Sequence, residues 1–129
     1  MRLLLDTQIA IWTIGQPNKL DLPTRDLIAS PKTAVFVSVV TIWEIAIKYP
    51  LRKTSAPPFS ARDGIAHFAR AGFTLLEVKP EHAVAVETLP LHHGDPFDRL
   101  LVAQALTEPL RLVTADKRLT AYSNTVMLC

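Results

Sequence analysis

A three-layer α/β/α sandwich around a central, mostly parallel sheet of four or five strands is the fold this sequence predicts. Three observations lead there. Short runs such as Leu3-Leu4-Leu5 and Ala34-Val35-Phe36-Val37 are apolar at every position, as strands covered on both faces are. Stretches of helical length alternate with those runs, so successive strands are joined by crossovers and lie parallel. Ten prolines and four glycines fall between the segments and punctuate them.

Leu3–Leu5 is the first strand, and Gln8–Ile14 a brief helix stopped by Gly15 and Pro17. Pro23 suits a first helical position and opens a helix to about Ser30. Ala34–Val37 is the second strand, and the chain is helical from Ser38 through Lys48, ending before Pro50. Leu51–Phe59, with Pro57-Pro58, reads as loop. Ser60 caps a helix to Ala71, with Gly72 just beyond it. Phe73–Val78 is the third strand, and Pro80 opens a helix to Thr88. Asp95-Pro96 starts the longest helix, Phe97–Glu108, which Pro109 stops. Arg111–Val113 is the fourth strand, Asp116–Tyr122 a short helix, and Val126–Leu128 a fifth strand.

Composition narrows the class. The 129 residues suit one domain, expected to span 1–129, and a chain of this size builds a core without staples. Hydrophobic residues at 49% and charged residues at 20% indicate a globular chain, not a disordered one. The single cysteine, Cys129, allows no internal disulfide and no cysteine-built zinc site. A formal charge of +2 permits an anionic partner without announcing one. No apolar run is long enough to span a bilayer, and Asp6 interrupts Leu3-Leu4-Leu5 well short of a signal-peptide core. A cytoplasmic protein is expected.

The acidic residues carry the chemical signal. Asp6 comes directly after the first strand, Glu44 lies early in the helix after the second, Asp98 in the first turn of the longest helix, and Asp116 just past the fourth strand. Parallel strands share a direction, so these positions gather at one edge of the sheet, where ligands of such folds collect. Each acid also has a structural explanation. Asp95-Pro96-Phe97-Asp98 is a helix cap with a first-turn acid behind it; Thr41-Ile42-Trp43-Glu44 has the spacing of a capping box; Glu44 precedes Lys48 by four residues; Asp116 can cap the short helix after it. Asp6 fits that account least well, because an acid abutting a central apolar strand is poorly solvated. Several such acids together raise one another's pKa, and a hard divalent cation such as Mg²⁺ or Mn²⁺ relieves the strain.

At these residues the sequence resembles the PIN-domain ribonucleases and, within them, the VapC toxins of type II toxin–antitoxin modules. The resemblance rests on Leu3-Leu4-Leu5-Asp6-Thr7, on Ser38 to Lys48 with its Ile-Trp-Glu-Ile string, on Leu91 to Ala105 with Asp-Pro-Phe-Asp-Arg, and on Leu112 to Lys117. It covers essentially the whole chain and implies a PIN-like fold. It also implies that Asp6, Glu44, Asp98 and Asp116 form an acidic quartet with Thr114 beside it. Asp95 belongs to the same string, although a helix cap suffices for it. The sequence departs from the pattern at Gln8, where relatives often carry His.

The activity so implied is Mg²⁺- or Mn²⁺-dependent hydrolysis of RNA phosphodiesters by water, with Asp6, Asp98 and Asp116 holding the metal directly or through water. Glu44 would hold metal or orient the attacking water, and either one ion or two is compatible with the residues. A homodimer and a small antitoxin partner are implied as well. Lys48, Arg52, Lys53, Arg99, Lys117 and Arg118 lie close in sequence to the acids and are candidates for a basic rim that holds RNA, the alternative being ordinary solvated surface. His92-His93 reads as loop and not as a metal pair, and His67 and His82 as surface or boundary residues. Trp12 with Ile9, Ile11 and Ile14 makes a helix apolar nearly all round, by default a core helix.

Two other enzyme classes fail on single residues. A haloacid-dehalogenase-type hydrolase needs a second Asp where Gln8 stands, and a receiver domain needs an acid after its middle strand, where Ser38 stands. The non-enzymatic alternative is an RNA- or protein-binding module whose acids are helix caps.

Overall fold

The computed structural model describes residues 1–129. Five strands form one sheet: β1 (Arg2–Leu5), β2 (Ala34–Ser38), β3 (Thr74–Leu76), β4 (Arg111–Thr114) and β5 (Met127–Leu128), in the order β3-β2-β1-β4-β5. Every pairing is parallel, with Leu4 facing Phe36 on one side and Leu112 on the other. The strand nearest the N-terminus is therefore the central one.

Alternation along β1 splits the core in two, because successive side chains leave a strand on opposite faces. Leu3 and Leu5 point into a cluster with Ile9, Ile28, Ile45 and Phe68, contributed by helices α1 (Thr7–Gly15), α2 (Leu22–Ala29), α3 (Val39–Lys48) and α4 (Ala61–Arg70). Leu4 points the other way, onto Leu101, Val102 and Ala105 of α6 (Pro96–Thr107), with Leu89 packed at the margin just beyond α5 (Pro80–Val86). The three layers predicted from the apolar runs are present.

Most element ends agree within a residue or two, and the differences have local causes. The third strand is shorter than the predicted Phe73–Val78, and the predicted helix Asp116–Tyr122 is a 3₁₀ segment, Lys117–Ala121. Gly72 stops α4 as expected, at φ +84°, where a side chain would be strained. Trp12 and Ile14 pack against the core beside fully buried Ile9, so the apolar helix α1 is a core helix.

Two expectations are overturned. The capping box at Thr41–Glu44 does not form: Ser38 caps α3 by accepting from Val40 N at 3.0 Å, which leaves Glu44 well inside the helix with no capping role. His82 is not a surface or boundary residue but is fully buried, its Nε2 2.6 Å from Glu108 Oε2 and its Nδ1 accepting from Lys79 N at 2.9 Å. Its ring continues into a polar chain through Gln104, which accepts from Ser38 Oγ at 2.6 Å and donates to Glu77 O at 3.2 Å. That chain ties α5 and α6 to the N-cap of α3.

Candidate active site

The carboxyl ends of β1 and β4 and the starts of α3 and α6 enclose a cavity of about 360 Å³ lined by Asp6, Glu44, Asp95, Asp98 and Asp116. Lys48 is the only cation on its wall. A larger cavity, about 730 Å³, opens at the starts of β2 and β3 and contains one acid, Asp26, beside Arg25. Its size does not make it the better candidate, since it lacks any convergent set of ionisable groups. A third cavity, about 590 Å³, adjoins the acidic one, sharing Gln8, Ile11, Ser55 and Pro57 and reaching Trp12 and Lys19.

Asp6 is nearly inaccessible, at 6% exposure. Its Oδ1 accepts from Ile9 N at 2.9 Å, capping α1, and its Oδ2 accepts a short hydrogen bond from Thr114 Oγ1. Burial pushes its pKa up to about 6; the Thr114 and Ile9 hydrogen bonds oppose the rise, and the charges of Glu44 and Asp116 add to it. Thr114 in turn accepts from Asp116 N at 3.0 Å, so one hydroxyl joins two of the acids.

Glu44 reaches the cavity from the second turn of α3. Its Oε1 accepts from Thr7 Oγ1 at 2.8 Å, and its Oε2 from Lys48 Nζ at 2.6 Å. Thr7 has one proton and gives it to Glu44, so the 3.0 Å contact between Thr7 and Thr41 is a bond donated by Thr41. The ion pair with Glu44 raises the Lys48 pKa.

Asp98 caps nothing. Asp95 holds the α6 cap through Oδ1, accepting from Phe97 N at 2.8 Å and from Asp98 N at 3.2 Å. The Asp98 carboxylate is left facing the cavity, where burial raises its pKa to about 6, reinforced by the charges of Asp95 and Asp6. Its one close partner is His93 Nε2, 3.2 Å from Oδ2.

Asp116 differs from the others. Its Oδ1 accepts from Arg118 N at 3.0 Å and Arg118 Nε at 3.1 Å, and its Oδ2 from Arg118 Nη2 at 2.8 Å and His93 Nε2 at 3.1 Å. A carboxylate offers about four lone-pair sites, and all are engaged. The Arg118 hydrogen bonds hold its pKa well below the usual carboxylate range. Direct coordination through Asp116 requires Arg118 to let go; its side chain, 67% exposed, is free to swing outward.

The residues present suit a hard cation. Asp6, buried, and Asp98, half-buried, are raised toward neutrality by desolvation and mutual repulsion, the donors are oxygens, and a divalent ion removes the penalty that raises both. Asp6, Asp98 and Glu44 keep lone pairs for it.

The basic candidates divide. Lys48 lines the cavity, while Arg52, Lys53 and Lys117 are exposed and do not line it. Arg118 is committed to Asp116. Arg99 turns away: its guanidinium donates to Pro90 O, Val86 O, Leu89 O and Tyr122 Oη at 3.0–3.4 Å, stapling the segment before α6. His93 is the residue that sequence reasoning misses. It is 9% exposed and sits between Asp98 and Asp116, whereas its neighbour His92 is exposed and packs edge-on against Tyr122.

Comparison with known proteins places the chain. A family model described as the PIN domain matches residues 3–124. Ribonuclease VapC22 of Mycobacterium tuberculosis is 28% identical over 122 residues, covering 92% of this chain and 90% of its own. Among solved structures, VapBC2 from Rickettsia felis bound to a DNA fragment from its promoter superposes with a TM-score of 0.71 at 14% identity, covering 100% of this chain and 98% of the matched one. VapBC-5 from M. tuberculosis gives 0.62 at 21% identity, covering 98% and 96%.

Proposed function

Because the chain belongs to the PIN-domain family, we propose that it is a metal-dependent endoribonuclease, the toxin of a type II toxin–antitoxin module, acting as a single domain over 1–129. The observation that carries this reading is the convergence of Asp6, Glu44, Asp98 and Asp116, from four separate segments of the chain, on one small cavity. The 28% identity to a ribonuclease VapC supports the same reading.

Asp6 and Asp98, with Glu44, would hold Mg²⁺ or Mn²⁺, and Asp116 would join them through water or on release of Arg118. When bound, such an ion supplies the Lewis acidity that makes water nucleophilic near neutral pH and offsets charge on the phosphoryl oxygens. Glu44, held by Thr7 and Lys48, orients the attacking water. Lys48, Arg52, Lys53 and Lys117 attract the RNA backbone without reading sequence, and single-stranded segments fit an open cleft best. The adjoining groove along α1 offers the strand a path away from the acids. A small cognate antitoxin neutralises the enzyme, which works in the cytoplasm as a homodimer; no helix is long and apolar enough to cross a membrane.

The alternative, a binding module whose acids are caps, draws support from Asp6, Asp95 and Asp116, each of which does cap a helix. It accounts less well for Glu44 and Asp98, which cap nothing: Glu44 pairs with Lys48 and Asp98 is a first-turn acid, yet both line the cavity that Asp6 and Asp116 line. The deciding experiment is cleavage of total cellular RNA with Mg²⁺ or with EDTA, with Asp6→Asn as control. Asn caps about as well as Asp, so the variant should stay folded and lose cleavage. RNA cut equally fast by the variant, or in EDTA, rejects the metal-centre assignment.

A further inference from the structure

His93 stands outside the acidic quartet yet touches two of its members. Its backbone N donates to the Tyr122 hydroxyl, 3.1 Å away, and Tyr122 is itself held by Arg99 Nη1 at 3.1 Å. The imidazole is fixed at both nitrogens. Nδ1 lies 3.1 Å from Asp95 N, a backbone group that can only donate, so Nδ1 carries the lone pair. The ring proton is then on Nε2, which donates to Asp116 Oδ2 at 3.1 Å and lies 3.2 Å from Asp98 Oδ2.

Building on the metal-dependent reading above, we infer that His93 is the positioning residue of the acidic centre: it donates to Asp116, packs its Nε2 against Asp98, and so holds the two carboxylates at a fixed separation beside the ion.

The same geometry argues against His93 as a ligand itself. The three side chains bring one donor atom each within 4.8 Å of one another, a spacing a metal could use. Coordination through Nε2, however, would move the ring proton to Nδ1, directly against the Asp95 N–H. As long as Asp95 N donates to that ring, His93 donates to the ligands and does not join them. Its role is to set the carboxylates in place before the ion arrives, so that binding does not have to order them. Arg99 and Tyr122 extend the same function one step outward, because they fix the loop from which His93 projects.

The test is Mn²⁺ binding, monitored by electron paramagnetic resonance, on wild type, His93→Ala and His93→Gln, each with thermal unfolding of the metal-free protein. Alanine is expected to weaken Mn²⁺ binding about 10- to 100-fold. Glutamine, which can accept from Asp95 N and donate to the acids, should recover most of that loss. RNA cleavage at subsaturating Mn²⁺ should fall in parallel and return when Mn²⁺ is raised, with KM for RNA little changed. Should the alanine variant not fold, His93→Asn, too short to span both acids, carries the same expectation. Wild-type Mn²⁺ affinity in the folded alanine or asparagine variant overturns the inference while leaving the nuclease intact. So does a directly bound ¹⁴N coupling in the Mn²⁺ spectrum that His93→Ala removes, because it makes His93 a ligand. Absence of Mn²⁺ binding by the wild type removes both readings together.

Discussion

Thr114 Oγ1 donates to Asp6 Oδ2 across 108 positions of sequence, joining the ends of the two central neighbours β1 and β4. The same hydroxyl accepts from Asp116 N, so its loss strands a buried carboxylate and a backbone donor together. Thr114→Val, nearly isosteric, should destabilise the protein by about 2–3 kcal/mol and push the Asp6 pKa further up. Thr114→Ser keeps both bonds and should cost about 1 kcal/mol for the lost methyl. Urea unfolding and a carboxyl NMR titration check the pair; equal stability of Val and wild type contradicts the linkage.

Stability of the metal-free protein should fall as pH rises from about 4 to about 6. Asp6 and Asp98 titrate near 6 when folded and near 3.9 when unfolded, so in that window the folded state retains protons that the unfolded chain has released. Asp116 and Glu108, both depressed, act oppositely and weaken the fold only on further acidification, as pH falls through their folded values. Asp98→Asn should flatten the decline and raise metal-free stability at pH 7 by about 1 kcal/mol. Melting curves in EDTA across pH 4–8 read this directly. Added Mn²⁺ should restore the wild type at pH 7 and help the variant much less.

Arg99 and Lys53 should respond in opposite ways to removal of charge. Arg99→Met leaves several carbonyl groups without their donor and should cost about 1–3 kcal/mol, with the salt dependence of RNA affinity unchanged. Lys53→Met should leave stability unaltered and reduce the slope of log affinity against log salt by about 1. If both variants lower the salt slope alike, Arg99 contacts RNA after all.

The buried chain Ser38–Gln104–His82–Glu108 serves the fold and not the chemistry. Gln104→Leu leaves the Ser38 hydroxyl without its acceptor and Glu77 O without its donor, while His82 Nδ1 keeps the bond from Lys79 N, at a cost of about 2–4 kcal/mol. Cleavage per folded molecule should stay at the wild-type level, measured below the variant's melting point. A specific loss of activity at full stability would tie the chain to α3 and Glu44 instead.

Much of the architecture is legible in the sequence because its causes are local. Runs apolar at every position mark strands covered on both faces, and Ser60, Gly72, Asp95-Pro96 and Pro109 mark helix ends by their own backbone preferences. The acids are visible for the same reason, each lying just after a strand or near a helix start. The misleading signals are also local: Thr41–Glu44 has capping-box spacing, but Ser38 already serves as the cap, and a helix start has only one. His82 resembles a boundary residue because nothing near it in sequence reveals Gln104 or Glu108.

The amino-acid sequence by itself determined the alternation of strands and helices, most of the helix ends, and the placing of four acids just after strands or early in helices, since each depends on residues within a turn or two of one another. The tertiary structure alone decided that β1 lies between β2 and β4, that Asp116 has every lone pair engaged, that Arg99 faces inward, and that His93 bridges two carboxylates. Those outcomes depend on the path of a loop and on which donor reaches an acceptor first, and hydrogen bonds between distant segments exist only once the sheet has brought their ends together.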